Sequence, residues 1–148
     1  MKHPKYNYRS ESSLQFYEFI SEGPKGRITK WVQFRKAENR EIYNLAFGDK
    51  KIDADDIDDT VVTDNKDSQK VLATVAVTVL KFTEKFPDAW IFATGSTDSR
   101  TRLYQMCLSQ NLEELEQYFY IFGFYKEKWV KFEKNKTFEA FIVNRKIK

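Results

Sequence analysis

Two hydrophobic periods alternate along the chain. Residues 14–21 (LQFYEFIS) mix aromatic and polar side chains in strand-like composition. After the turn Glu22-Gly23-Pro24-Lys25-Gly26, residues 27–36 (RITKWVQFRK) set Ile28, Lys30, Val32 and Phe34 against the residues between them. Two such runs joined by a Gly/Pro turn predict a hairpin. Residues 41–47 (EIYNLAF) predict a third strand, ended by Gly48-Asp49. The period then changes. Over residues 68–86, Val71, Val75, Val79, Phe82 and Phe86 recur at three- and four-residue steps, with Leu72, Ala76 and Leu80 beside them. Lys70, Thr74, Thr78, Lys81 and Lys85 form the polar stripe, Asp67 or Ser68 suits the N-cap, and Pro87 lies past the stop. That is the signature of an amphipathic helix.

Residues 89–94 (AWIFAT) have the short apolar composition of a buried central strand. Gly95-Ser96-Thr97 opens a second helix that runs to about Gln110, and Asn111 starts a short third one. Residues 118–125 (YFYIFGFY) and 138–144 (FEAFIVN) predict closing strands, with a weaker one near 129–132. The order β-β-β-α-β-α-β-β-β predicts an α+β domain. Its sheet is single, mixed and mostly antiparallel, with six to seven strands and two main helices packed mainly on one side. No repeat or linker divides the chain, so residues 1–148 are expected to form one domain, with 1–12 a mobile N-terminal segment.

Composition narrows the chemistry more than it names it. Among 148 residues are 13 Phe, 8 Tyr and 3 Trp, but only five glycines and three prolines, which excludes a low-complexity chain. A mean hydropathy of −0.64 and no apolar run near 18 residues exclude a membrane helix. Charges with no apolar stretch behind them at the start argue against a signal peptide. One cysteine, Cys107, permits no intrachain disulfide and fits the cytoplasm. The only histidine is His3, so no Ser-His-Asp or Cys-His site is expected in the core. Zinc lacks a ligand set. No catalytic residue, metal or cofactor is therefore expected, and Cys107 reads as a core residue.

The net charge of +3 hides an acidic block: residues 49–67 carry a balance of −5 between two blocks of +4 each. Calcium-loop spacing fails there, because Ile57, Asp58 and Asp64 stand where a ligand, a glycine and a glutamate are required. Ile57, Val61 and Val62 instead predict a loop tucked onto the body. The best candidate site is an anion site at Gly95, Ser96, Thr97 and Arg100, where free amides and the helix dipole meet hydroxyls and a permanent cation. Arg102 points to another face of that helix. The turn Gly23-Pro24-Lys25-Gly26, near Arg27 and Lys30, is a weaker phosphate candidate. Lys126, Lys128, Lys131, Lys134 and Lys136, with Arg145, Lys146 and Lys148, form a candidate basic surface. Trp31, Trp90 and Trp129 read as core or interface anchors.

The segments GPKGRITK, YNLAFGD, KVLATVAVTVLKF and ATGSTDSRTRLYQM, spread between Tyr17 and Phe141, resemble an uncharacterised bacterial family of comparable length. That resemblance implies no activity. The element order, with Gly123-Phe124 in a late strand, is similar to the core of Gcn5-type acyltransferases. Those enzymes hold the pyrophosphate of acyl-coenzyme A on a glycine-rich loop before the first of these helices. Here Asp64-Asn65-Lys66-Asp67 holds that place, with no glycine between Asp49 and Gly95, and negative charge there would repel the cofactor. The expectation is a non-enzymatic cytoplasmic domain that binds a macromolecular partner or itself. One alternative is a small-molecule-binding or degenerate acyltransferase-like protein using the turn at 95–102. A second is nucleic-acid binding through the basic C-terminal strands. No membrane partner is expected.

Overall fold

The structure, a computed structural model, describes residues 2–38, 41–58 and 63–146. Strands β1 (Tyr8–Ser10), β2 (Phe16–Gly23), β3 (Gly26–Lys36), β4 (Ile42–Lys50) and β5 (Ile57–Asp58) precede helix α1 (Ser68–Lys85). Strand β6 (Trp90–Ala93), helix α2 (Asp98–Gln110) and the one-turn helix α3 (Leu112–Leu115) come next. Strands β7 (Phe119–Tyr125), β8 (Lys128–Lys131) and β9 (Ala140–Arg145) follow. One sheet runs β1-β2-β3-β4-β6-β9-β7-β8, with β5 attached to β4. Every pairing is antiparallel except β4 with β6. The chain is thus the α+β domain its pattern predicts. Among the described residues it has nine strands rather than six or seven, because β1 and β5 are too short to display an alternation.

Helices pack on one face only. Phe82 of α1, fully buried, stacks on Phe34 of β3 with ring centroids 4.3 Å apart and meets Tyr43 of β4 edge-on at 4.9 Å. Tyr17, Phe19, Val32, Leu45, Ile91 and Phe141 belong to the same core. Helix α1 is buried on more than a stripe, since every residue from Val71 to Val79 is inside. The N-terminal segment, expected to be mobile, supplies part of that cover. His3 Nε2 lies 3.1 Å from the carbonyl of Gln110, Tyr6 N–H donates to Thr74 Oγ1 at 2.8 Å, and the Tyr6 ring stacks on Phe19. Tyr8–Ser10 then pair with β2. The segment is a strap across α1, held by two tyrosines that gain apolar contact only once the helix and sheet have met.

Ile57 of the acidic loop is buried and pairs as part of β5; Val61 and Val62 lie outside the described residues. Among the described residues no helix is long and apolar enough to cross a membrane.

Val75 is wholly buried at the centre of α1. Val75→Asp places a carboxylate among apolar neighbours and is expected to cost on the order of 3 kcal/mol or more, read as the shift in a urea-unfolding midpoint.

Candidate functional site

The parallel pair β4/β6 holds for only three residues, Ile42–Asn44 against Trp90–Phe92. Beyond Asn44 the strands part. At the far end of the same β4 edge, β5 pairs with Asp49 and Lys50. Between them, among the described residues, no strand lies on this edge of Leu45–Phe47 opposite β3, and two side chains of α2 take the strand's place. The Tyr104 hydroxyl donates to Leu45 O at 3.2 Å and accepts from Phe47 N–H at 3.3 Å. Arg100 Nη2 donates to Phe47 O at 2.6 Å, and Nη1 to Asp58 O at 3.4 Å. Burial pushes the Tyr104 phenol above the ordinary tyrosine range, with the Phe47 amide working the other way. Gly48 makes room for this contact: a Cβ there would stand 2.9 Å from Arg100 Nη2.

This arrangement divides the predicted anion site. Thr97 is the N-cap of α2 and its side chain accepts the Arg100 amide, while Thr101 N–H bonds Thr97 O. The Gly95 amide is taken by Thr101 Oγ1 at 3.0 Å. Gly95 packs so closely that a Cβ would lie 2.4 Å from the Thr101 amide nitrogen. Gly95 and Ser96 border both the crevice that holds Arg100 and a second groove on the other side of the turn. Thr97 borders only the second groove, where Arg102, Asp98 and Glu139 supply mixed charge. Arg100 therefore does not reach back to the turn; it is drawn inward by carbonyls that a one-dimensional reading cannot place.

The segment before α1, where the acyltransferase likeness would put a pyrophosphate, does not fit one. Asn65 is buried; its amide donates to Gly26 O at 2.9 Å and to Ser21 Oγ, and its Oδ1 accepts the Lys25 amide at 2.7 Å. That last bond also uses an amide of the candidate hairpin turn. Asp67, the residue capping α1, makes no side-chain cap bond; its carboxylate accepts from Ser21 Oγ and Tyr6 Oη, each at 2.6 Å. Burial, and then donation to Asp67, pushes the Tyr6 phenol up. The buried Lys30 ammonium pairs with Asp49, which also accepts from Thr63 Oγ1 at 2.6 Å. A cavity of about 40 Å3 remains between these groups, room for a water and not for a nucleotide.

The basic residues separate. Lys126 and Lys136 both stand 5.2 Å from the Tyr125 ring, Lys136 also pairs with Glu133, and Lys128 and Lys134 are exposed. Lys131 alone of the five lies opposite Phe122, on the sheet face away from the helices. Of the tryptophans, Trp31 is buried on that face, its indole N–H donating to Glu18 at 2.8 Å. This bond, and then the Arg9 guanidinium, holds the Glu18 carboxyl below the usual range. Trp90 and Trp129 are exposed there, together with Tyr120. Tyr120 carried no motif in the sequence; only the strand register puts it beside the tryptophans. Among the described residues no group of three His, Cys, Asp or Glu is placed to hold a metal.

Fold and site together define a single mixed-sheet α+β domain with helices on one face and an aromatic opposite face. The chain belongs to the family of unknown function DUF6934, whose profile matches residues 2–146. No curated protein and no solved structure matches it.

Tyr104→Phe leaves Leu45 O and Phe47 N–H without a partner and is expected to cost about 1–3 kcal/mol. Arg100→Ala should cost at least as much in the same urea titration. Retention of full stability by both would mean that another group closes the β4 edge. Cys107 is buried, its Sγ directed at Leu72 O, and burial pushes its thiol up to about 12. Alkylation at neutral pH should therefore be slow in the folded protein and rapid in denaturant, because the thiolate is the reactive form.

Proposed function

We propose that this chain is a non-enzymatic, cytoplasmic binding domain that offers the helix-free face of its sheet to a macromolecular partner. One observation carries this reading: Trp90, Tyr120 and Trp129 are exposed together on a face that, among the described residues, no helix covers. Large aromatics left uncovered in a group mark interaction surfaces. The carboxylate-lined segment before α1, with its cavity of about 40 Å3, supports the absence of acyl transfer. A lone buried thiol accords with a reducing compartment.

The test is in-cell crosslinking of the tagged full chain, comparing the native protein with Tyr120→Ser and Trp129→Ser. Glu84→Gln, exposed on α1, serves as the control. Crosslinked complexes should disappear in the two face variants and persist in the control. Complexes that survive both face substitutions, or turnover of acyl-coenzyme A by the purified chain, would overturn the reading.

A further inference from the structure

The chemistry of the open face selects among partners. One register row crosses six strands as Arg35, Asn44, Phe92, Ile142, Phe122 and Lys131. A cation stands at each end, and Phe92, Ile142 and Phe122 make three successive strands apolar between them. Five strand spacings make this row about 24 Å long. The neighbouring row places Trp90 and Tyr120 on either side of Asn144, two strands and therefore about 10 Å apart. Trp90 is 38% exposed, Tyr120 53% and Trp129 44%. The sheet curls enough for Phe92 of β6 to approach Trp129 of β8, with centroids 6.2 Å apart, while Phe124 meets the same indole at 5.2 Å. Lys146 Nζ stands 5.6 Å from the Tyr120 ring.

Charge decides what such a surface accepts. Among the described residues, no outward position of β6, β9, β7 or β8 carries a carboxylate. The other half of the same face differs: there Arg9 pairs with Glu18, and Glu18 also holds Trp31. A short groove along the edge of β7 continues the cationic half, bordered by Tyr120, Phe122, Lys131, Lys146 and one carboxylate, Glu116. A second copy of the chain docked here about a two-fold axis would set two cationic faces against each other, a like-charge arrangement that opposes self-association. Exposed aromatic planes with cations among them, and a single carboxylate, Glu116, at the border of the groove, instead complement a chain of stackable bases joined by phosphates. A duplex hides its base faces, so the strand must be single.

We infer that the β6–β9–β7–β8 half of the open face binds single-stranded nucleic acid, bases stacking on Trp90, Tyr120 and Trp129 and phosphates meeting Lys131 and Lys146. The inference rests on the open-face reading above and names its partner. Base specificity is weak, because a stacking ring accepts any base.

The experiment is fluorescence anisotropy of the full chain with labelled mixed-sequence RNA and DNA oligonucleotides of about ten nucleotides, a length within the site sizes of single-strand binders. Binding should weaken as salt rises from about 50 to about 200 mM. Tyr120→Ala and Trp129→Ala should each weaken it roughly ten- to hundredfold. Lys131→Gln should weaken it and flatten the salt dependence by about one phosphate contact. Lys81→Gln, exposed on α1 across the sheet from this face, should leave it unchanged. These side chains are exposed, so the variants should keep the native circular dichroism; should an aromatic variant unfold, the Lys131→Gln salt slope still decides. No binding of either oligonucleotide at about 50 mM salt, or binding indifferent to Tyr120→Ala and Lys131→Gln, overturns the inference. A protein crosslink or a dimer in sedimentation that depends on Tyr120, with no oligonucleotide bound, overturns it while leaving the open face as the working surface.

Discussion

An open stretch of strand edge organises this molecule. Where β4 and β6 diverge, the main-chain groups of Leu45 and Phe47 face the interior, and buried polar groups without partners cost about 1–3 kcal/mol each. Tyr104 and Arg100 meet that demand, and doing so sets the position of α2 against the sheet. The turn at Gly95 must then be tight enough to bring the helix in directly after β6. Gly48 must stay without a side chain so that the guanidinium can reach the strand. The crevice between the diverging strands is narrowed by the protein's own side chains, with Tyr104 and Arg100 forming part of its wall.

A second polar system fixes the other end of the core. Asn65, Ser21, Asp67 and Tyr6 bind one another and the β2–β3 hairpin. They join the start of α1 to the sheet edge and to the strap that crosses it. Both systems lie on the helical side and pair their own polar groups within the fold. The opposite side carries its aromatics without such cover. This asymmetry separates the half of the molecule that maintains the fold from the half that exposes Trp90, Tyr120 and Trp129.

The strands and helices were legible because each repeats a period over enough residues to exceed local noise. The eleven residues of β3 and eighteen of α1 do so plainly. Strands β1 and β5, at three and two residues, contain no period to read. The strap was illegible for a related reason: Tyr6 and Tyr8 are two aromatics in a polar stretch, and what they cover is the outer side of a helix more than sixty residues away. Tyr104 and Arg100 lie on a helix of mixed composition, and nothing adjacent in sequence identifies their acceptors.

Sequence alone determined the class of the fold, the central place of α1, the burial of Cys107 and the presence of a single histidine and a single cysteine, all consequences of periodicity and composition that act locally. It also placed Gly95, Ser96, Thr97 and Arg100 at a strand-to-helix turn. Tertiary structure alone decided that Arg100 would serve β4 rather than that turn, and that Trp90, Tyr120, Trp129 and Lys131 would share one face. The reason is physical: a side chain goes to the strongest unsatisfied partner within reach. Strand order, which depends on pairings between distant segments, determines which partners those are.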